Sequence, residues 1–113
     1  MIATIKNLLG FGPKADFEKL MNEGAVILDV RTKAEYAGGH VNGSINIPLN
    51  ELPDRLEELK NKNGKIILCC ASGSRSGQAQ RYLLQNGFTE VHNGGSWMDV
   101  EYKFLNQTNN NRA

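Results

Sequence analysis

Cysteine is scarce in this chain: two in 113 residues, and the two are neighbours, Cys69 and Cys70. That excludes a disulfide framework and any four-cysteine metal site. A bond between adjacent cysteines would close a strained ring, so the pair is read as two thiols. An excess of one charge is missing too: 13 Lys and Arg stand against 12 Asp and Glu, for a formal net charge of +1. Composition therefore declares no basic face for nucleic acid. No apolar run approaches the roughly 18 residues of a membrane span. The first residues, MIATIKNLLGFGP, lack the charge, apolar stretch and cleavage site of a secretory signal in that order. The expectation is a cytoplasmic, monomeric protein without metal or cofactor. With 40% hydrophobic and 22% charged residues, the chain suits one compact domain with its own core.

The division expected is an N-terminal segment 1–13, a domain over 14–105 and a polar tail over 106–113. Ile2, Ile5, Leu8 and Leu9 share a helical face, which fits packing on the domain better than contact with a membrane surface. Within the domain, Ala25–Val30 and Ile66–Cys70 are continuous apolar runs, the pattern of strands covered on both faces of a parallel sheet. Ile45–Ile47 and Glu90–His92 are shorter strand candidates. Helices fit between them. Asp16 can cap the first, which Gly24 ends, and Thr32 with Glu35 forms a capping box for the second. Leu52, Leu56 and Leu59 stripe a third, closed by Asn63-Gly64. Ala79, Tyr82 and Leu83 stripe a fourth from near Ser76 to Asn86-Gly87, and Trp97–Leu105 is a last. The alternation predicts an α/β sandwich with a mainly parallel sheet of four or five strands and helices on both faces. Functional crevices of such sheets lie beyond the carboxyl ends of the strands. Two places qualify: Asp29-Val30-Arg31, and Cys70 with its loop.

The stretch Leu68-Cys69-Cys70-Ala71-Ser72-Gly73-Ser74-Arg75-Ser76-Gly77 runs from a buried strand through small residues into a helix start. Such a loop lets successive amides curl into an anion-binding nest, and the helix aims its positive end at the same spot. Arg75 adds a permanent charge. All three favour a thiolate, which is the nucleophilic form of cysteine. Neighbouring strand residues point to opposite faces, so only one cysteine can enter the nest. Five residues separate Cys69 from Arg75, the formal spacing of a cysteine phosphatase, and four separate Cys70 from it. The glycine of such phosphatases usually sits three after the nucleophile, and Gly73 sits three after Cys70. Cys70 is the better nucleophile, and Cys69 a core residue.

Taken in order, Leu28-Asp29-Val30-Arg31, Glu35-Tyr36, Gly39-His40-Val41, Gly43-Ser44-Ile45-Asn46-Ile47-Pro48, Cys70 to Gly77, and Gly94-Gly95 resemble a single-domain rhodanese. The resemblance runs from about Asp16 to Trp97. It implies a three-layer rhodanese-like fold, thiosulfate:cyanide sulfurtransferase activity, and a persulfide on Cys70. Related phosphatases on that fold carry a loop one residue longer. The expected site is Cys70 with the loop Ala71, Ser72, Gly73, Ser74, Arg75 and Ser76. A small anionic sulfur donor and a cyanide or thiol acceptor are the expected partners, with a sulfur-relay protein as a further one.

Simpler roles stand beside these. Asp29 and Arg31 tie strand ends to loops, a role the resemblance supports, and His40 and His92 satisfy local hydrogen bonds. Gly38, Gly39, Gly94 and Gly95 serve turns, and Trp97 receives no role in the pocket. Glu51–Lys62 is a mixed-charge solvated face. For Arg75, anion binding and an ion pair with a neighbouring carboxylate look alike in sequence. Rhodaneses active on thiosulfate often carry basic residues right after the cysteine, where this chain has Ala71 and Ser72. That departure motivates the alternative of a persulfide carrier loaded by a partner protein. A phosphatase acting through Cys69 is the third reading.

Overall fold

The computed structural model describes residues 14–62 and 64–112, with side chains from 17 to 106 apart from position 63. The expected N-terminal helix over 1–13 lies outside the described residues. In chain order the elements are α1 (Lys14–Asn22), β1 (Val26–Asp29), α2 (Lys33–Ala37), β2 (Ile45–Asn46), a 3-10 helix (Leu49–Asp54), α3 (Leu56–Lys60), β3 (Lys65–Cys70), α4 (Ser74–Gln85), β4 (Glu90–Ser96) and α5 (Trp97–Arg112). The four strands form one sheet in the order β2-β1-β3-β4, and every pairing is parallel. Parallel strands need covering on both faces, because their crossovers place helices there.

Alternation along β3 divides the core. Ile66, Leu68 and Cys70 face a cluster with Leu28, Val30, Leu52, Leu59, Ala79 and Leu83, under the 3-10 helix, α3 and α4. Ile67 and Cys69 face the other cluster, with Phe17, Leu20, Val41 and Val100, under α1 and α5. The expected three-layer α/β architecture is therefore present, with four strands. No helix among the described residues is long and apolar enough to cross a membrane.

Several boundaries differ from the sequence expectation. The leucine stripe over 52–59 is two elements, because Pro53 sits in the 3-10 helix and α3 begins only at Leu56; proline withholds the amide that a continuous α-helix would need. Asp16, expected as the cap of the first helix, lies within the described span of that helix, Lys14–Asn22. The helix expected from near Ser76 starts two residues earlier, at Ser74. Gly94 and Gly95 are not a turn but the end of β4. There the register moves from Leu68 opposite Asn93 to Cys70 opposite Ser96, an extra residue on β4. A bulge of this kind is where a strand tolerates glycine. The last helix passes Leu105 and continues to Arg112 through the stretch expected as a loose tail; extending an established helix costs far less than starting one.

Candidate active site

The carboxyl ends of β1 and β3 lie side by side, with Asp29 in register with Cys69. Asp29 is fully buried and Arg31 almost so. The Arg31 Nη2 and Nε donate to the Asp29 carboxylate at 2.8 and 3.0 Å, and the Arg31 amide adds a third bond at 3.0 Å. Arg31 also donates to the Gly39 carbonyl at 2.7 Å, and its guanidinium lies 4.8 Å from the Trp97 ring centroid. Asn46 donates to the carbonyls of both Asp29 and Arg31. A charge is tolerable in such a place only when paired and hydrogen-bonded. The arrangement ties β1, β2, the Gly39 segment and the start of α5 into one frame at this edge of the sheet.

Cys70 ends β3 within this frame. Gly73 caps α4 with φ +100°, a left-handed conformation that favours glycine, and a Cβ there would sit 3.4 Å from the Gly95 Cα. That turn aims the Gly73 amide back at the Cys70 Sγ, 3.0 Å away. The Ser76 amide, in the first turn of α4, approaches the same sulfur at 3.4 Å, and the Ser76 hydroxyl lies 3.4 Å from it. Burial by itself raises the Cys70 pKa. The Ser76 hydroxyl and the amides of Ser76, Ser72 and Gly73 outweigh it, so the thiol is held below its ordinary value of 9.0. Cys69 differs: burial, then the Asp29 carboxylate, push its thiol up to about 12. Its side chain joins the opposite core cluster. The two neighbours thus differ in face and in acidity, and the loop amides converge on Cys70 rather than on Cys69.

The amides of Ser72, Gly73 and Ser76 reach the sulfur, while the residues Ala71, Ser72 and Ser74 are exposed. The Arg75 guanidinium goes elsewhere, forming a two-pronged pair with the Glu35 carboxylate at 2.7 and 3.0 Å. Of the two fates open to Arg75 in the sequence, the ion pair is the one adopted. His40 is exposed and stacks on Tyr36 with ring centroids 3.8 Å apart. Its Nδ1 donates to the Tyr36 carbonyl at 2.7 Å.

Asn93 on β4 is a site residue the sequence reading passed over. Its Nδ2 donates to the Gly73 carbonyl at 3.2 Å, and its Oδ1 accepts from the Ser76 hydroxyl at 2.7 Å and the Gly95 amide at 3.0 Å. One amide side chain thus fastens both ends of the loop to the bulge of β4. The only sequence signal is an asparagine before a glycine pair, which is common in turns. Two hollows flank the loop. One, of about 370 Å³, is polar and is lined by Ser72, Gly73, Asn93, Gly95, Asp99 and Lys103. The other, of about 360 Å³, is mainly apolar and is lined by Val30, Thr32, Pro48, Leu49, Asn50 and Arg75.

The fold is an α/β domain with a thiol cradled by amides at the end of a central parallel strand. The rhodanese-like domain family matches residues 14–99, and the chain belongs to that family, whose chemistry is sulfur transfer. It is 39% identical to thiosulfate sulfurtransferase PspE of Escherichia coli (strain K12) over 74 residues, covering 65% of this chain and 71% of that protein. It is 40% identical to the putative sulfur carrier protein YrkF of Bacillus subtilis (strain 168), covering 77% of this chain but only 44% of the relative. Among solved structures, a rhodanese with anions from E. coli superposes with a TM-score of 0.61 at 38% identity, covering 66% of this chain and 89% of that one.

Proposed function

We propose that the protein transfers a sulfane sulfur through a persulfide on Cys70. The observation carrying this reading is the convergence of the Gly73 and Ser76 amides and the Ser76 hydroxyl on one sulfur whose pKa is lowered. In the first step the Cys70 thiolate attacks the outer sulfur of a donor such as thiosulfate. The new S–S bond to Cys70 forms as the bond to the sulfite group breaks, and sulfite departs with that electron pair. The product, a Cys70 persulfide, carries its negative charge on the outer sulfur. Preorganised amide donors suit that charge because they need no reorientation as it develops. In the second step cyanide attacks the outer sulfur, leaves as thiocyanate, and returns the Cys70 thiolate; a thiol acceptor would take the sulfur as its own persulfide. Sulfite leaves readily at neutral pH, so neither step needs a general acid. This is consistent with the engagement of His40 on Tyr36.

A second reading has its own support. With Arg75 paired to Glu35, no side chain of the loop offers an unpaired full charge, which suits a module that receives sulfur from a protein persulfide. Intact mass of the reduced protein after brief exposure to thiosulfate, or to inorganic polysulfide, tests the shared chemistry. One added sulfur is expected in the wild type and Cys69→Ser, none in Cys70→Ser, with reversal by cyanide. Sulfur gained by Cys70→Ser, or no gain from either donor, overturns the proposal. Rapid turnover with thiosulfate favours the enzyme, whereas loading only from polysulfide favours the carrier.

A further inference from the structure

Both arginines at the carboxyl edge of the sheet are neutralised, Arg31 by Asp29 and Arg75 by Glu35. The second pairing is unusual in how its acid is held. The Glu35 Oε1 also accepts from the Thr32 amide and hydroxyl, each at 3.1 Å, while the Thr32 hydroxyl accepts from the Glu35 amide at 3.2 Å. This reciprocal cap on α2 fixes the carboxylate independently of Arg75. Both Oε atoms then meet the guanidinium, in the forked geometry that would otherwise grip two oxygens of an incoming oxyanion. The Cys70 thiolate acts on the Arg75 charge as well, though less than Glu35 does. A carboxylate of the protein thus occupies the loop's cation. The hollow that Arg75 lines together with Val30, Pro48 and Leu49 is otherwise mainly apolar.

We propose that Glu35 is a specificity-determining residue that selects against dianionic sulfur donors. By holding Arg75, it directs the site towards sulfane donors with a single negative charge and an apolar body, the class to which aryl thiosulfonates and organic persulfides belong. The inference rests on the Cys70 persulfide reading. Benzenethiosulfonate is a suitable probe: the Cys70 thiolate takes its terminal sulfur, the S–S bond to Cys70 forms as the sulfur–sulfonyl bond breaks, and benzenesulfinate leaves with the electron pair. Thiosulfate differs in carrying a second charge and no apolar group.

The test is kcat/KM for each donor with cyanide as acceptor, in wild type and Glu35→Gln. Glutamine preserves the capping box and removes the charge, so α2 is retained. Freeing a guanidinium for charge-assisted bonds should raise kcat/KM for thiosulfate about tenfold, mainly through KM, with the benzenethiosulfonate value changed far less. Arg75→Gln provides the second arm: without the guanidinium, the further change Glu35→Gln should lose most of that gain. An unchanged ratio between donors, or equal losses for both, overturns the proposal. If the mass measurement shows a Cys70 persulfide while the ratio does not move, only this inference falls. If no persulfide forms from either donor, the function reading falls and takes the inference with it.

Discussion

Ser76 offers the sharpest test of how the site activates its sulfur. Its hydroxyl has one proton and two acceptors, the Asn93 Oδ1 at 2.7 Å and the Cys70 Sγ at 3.4 Å. With Cys70 as a thiol, the S–H can donate to the Ser76 oxygen while the O–H stays on Asn93. Once the sulfur is ionised, the O–H gains by turning to it, and Asn93 keeps the Gly95 amide as a donor. Ser76→Ala removes that option. Because the proton is contested, the loss belongs at the low end for a hydrogen bond to a charged group, about 1.5 kcal/mol, or roughly tenfold in thiolate population. Thiol nucleophilicity rises with basicity, with a slope of about 0.4–0.5, so roughly half of the loss is returned in reactivity. Iodoacetamide alkylation of Cys70, followed against pH in a Cys69→Ser background, should therefore give crossing curves. The variant should react about threefold more slowly at pH values where both sulfurs are mainly thiols and about threefold faster once both are ionised. Superimposed or parallel curves would refute the hydroxyl's role in holding the thiolate.

Arg31→Met leaves the buried Asp29 carboxylate with the backbone amide of residue 31 but no countercharge. Urea unfolding at neutral pH should show a loss of about 3 kcal/mol, and a loss under about 1 kcal/mol would show that the pair is not what holds the frame. The Arg75 side chain, then the Thr32 amide, hold the Glu35 carboxyl down to about 2 from 4.5. A lowered acid pKa contributes stability that is complete above the unfolded value and is lost as pH falls through the folded one. The thermal midpoint of wild type should therefore exceed that of Glu35→Gln above about pH 5, and the gap should close as pH falls towards 2. A constant gap would count against the pairing.

How legible this was in the sequence depended on the range of the interaction. β1 and β3 announce themselves because strands covered on both faces are continuous apolar runs, and simple alternation sends Cys69 and Cys70 to opposite cores. The Thr32–Glu35 box was visible because its partners are three residues apart. Asn93 and Ser76 are 17 residues apart, and Glu35 and Arg75 are 40 apart, so no local pattern encodes their meeting. For Arg75 the residue type admitted two partners, and only the tertiary fold chose between them. Gly94 and Gly95 misled for a different reason. Glycine is depleted in strands, and the extra residue that lets β4 accommodate it is a property of pairing with β3, not of β4 alone.

Cys70 ends an inner strand, with β1 on one side and β4 on the other and helices over both faces of the sheet. Only about 1% of the residue is accessible. A sulfur so placed is anchored by the ladders on either side of its strand, with Asp29 opposite Cys69 and Ser96 opposite Cys70, so the loop amides meet a sulfur whose position the sheet already fixes.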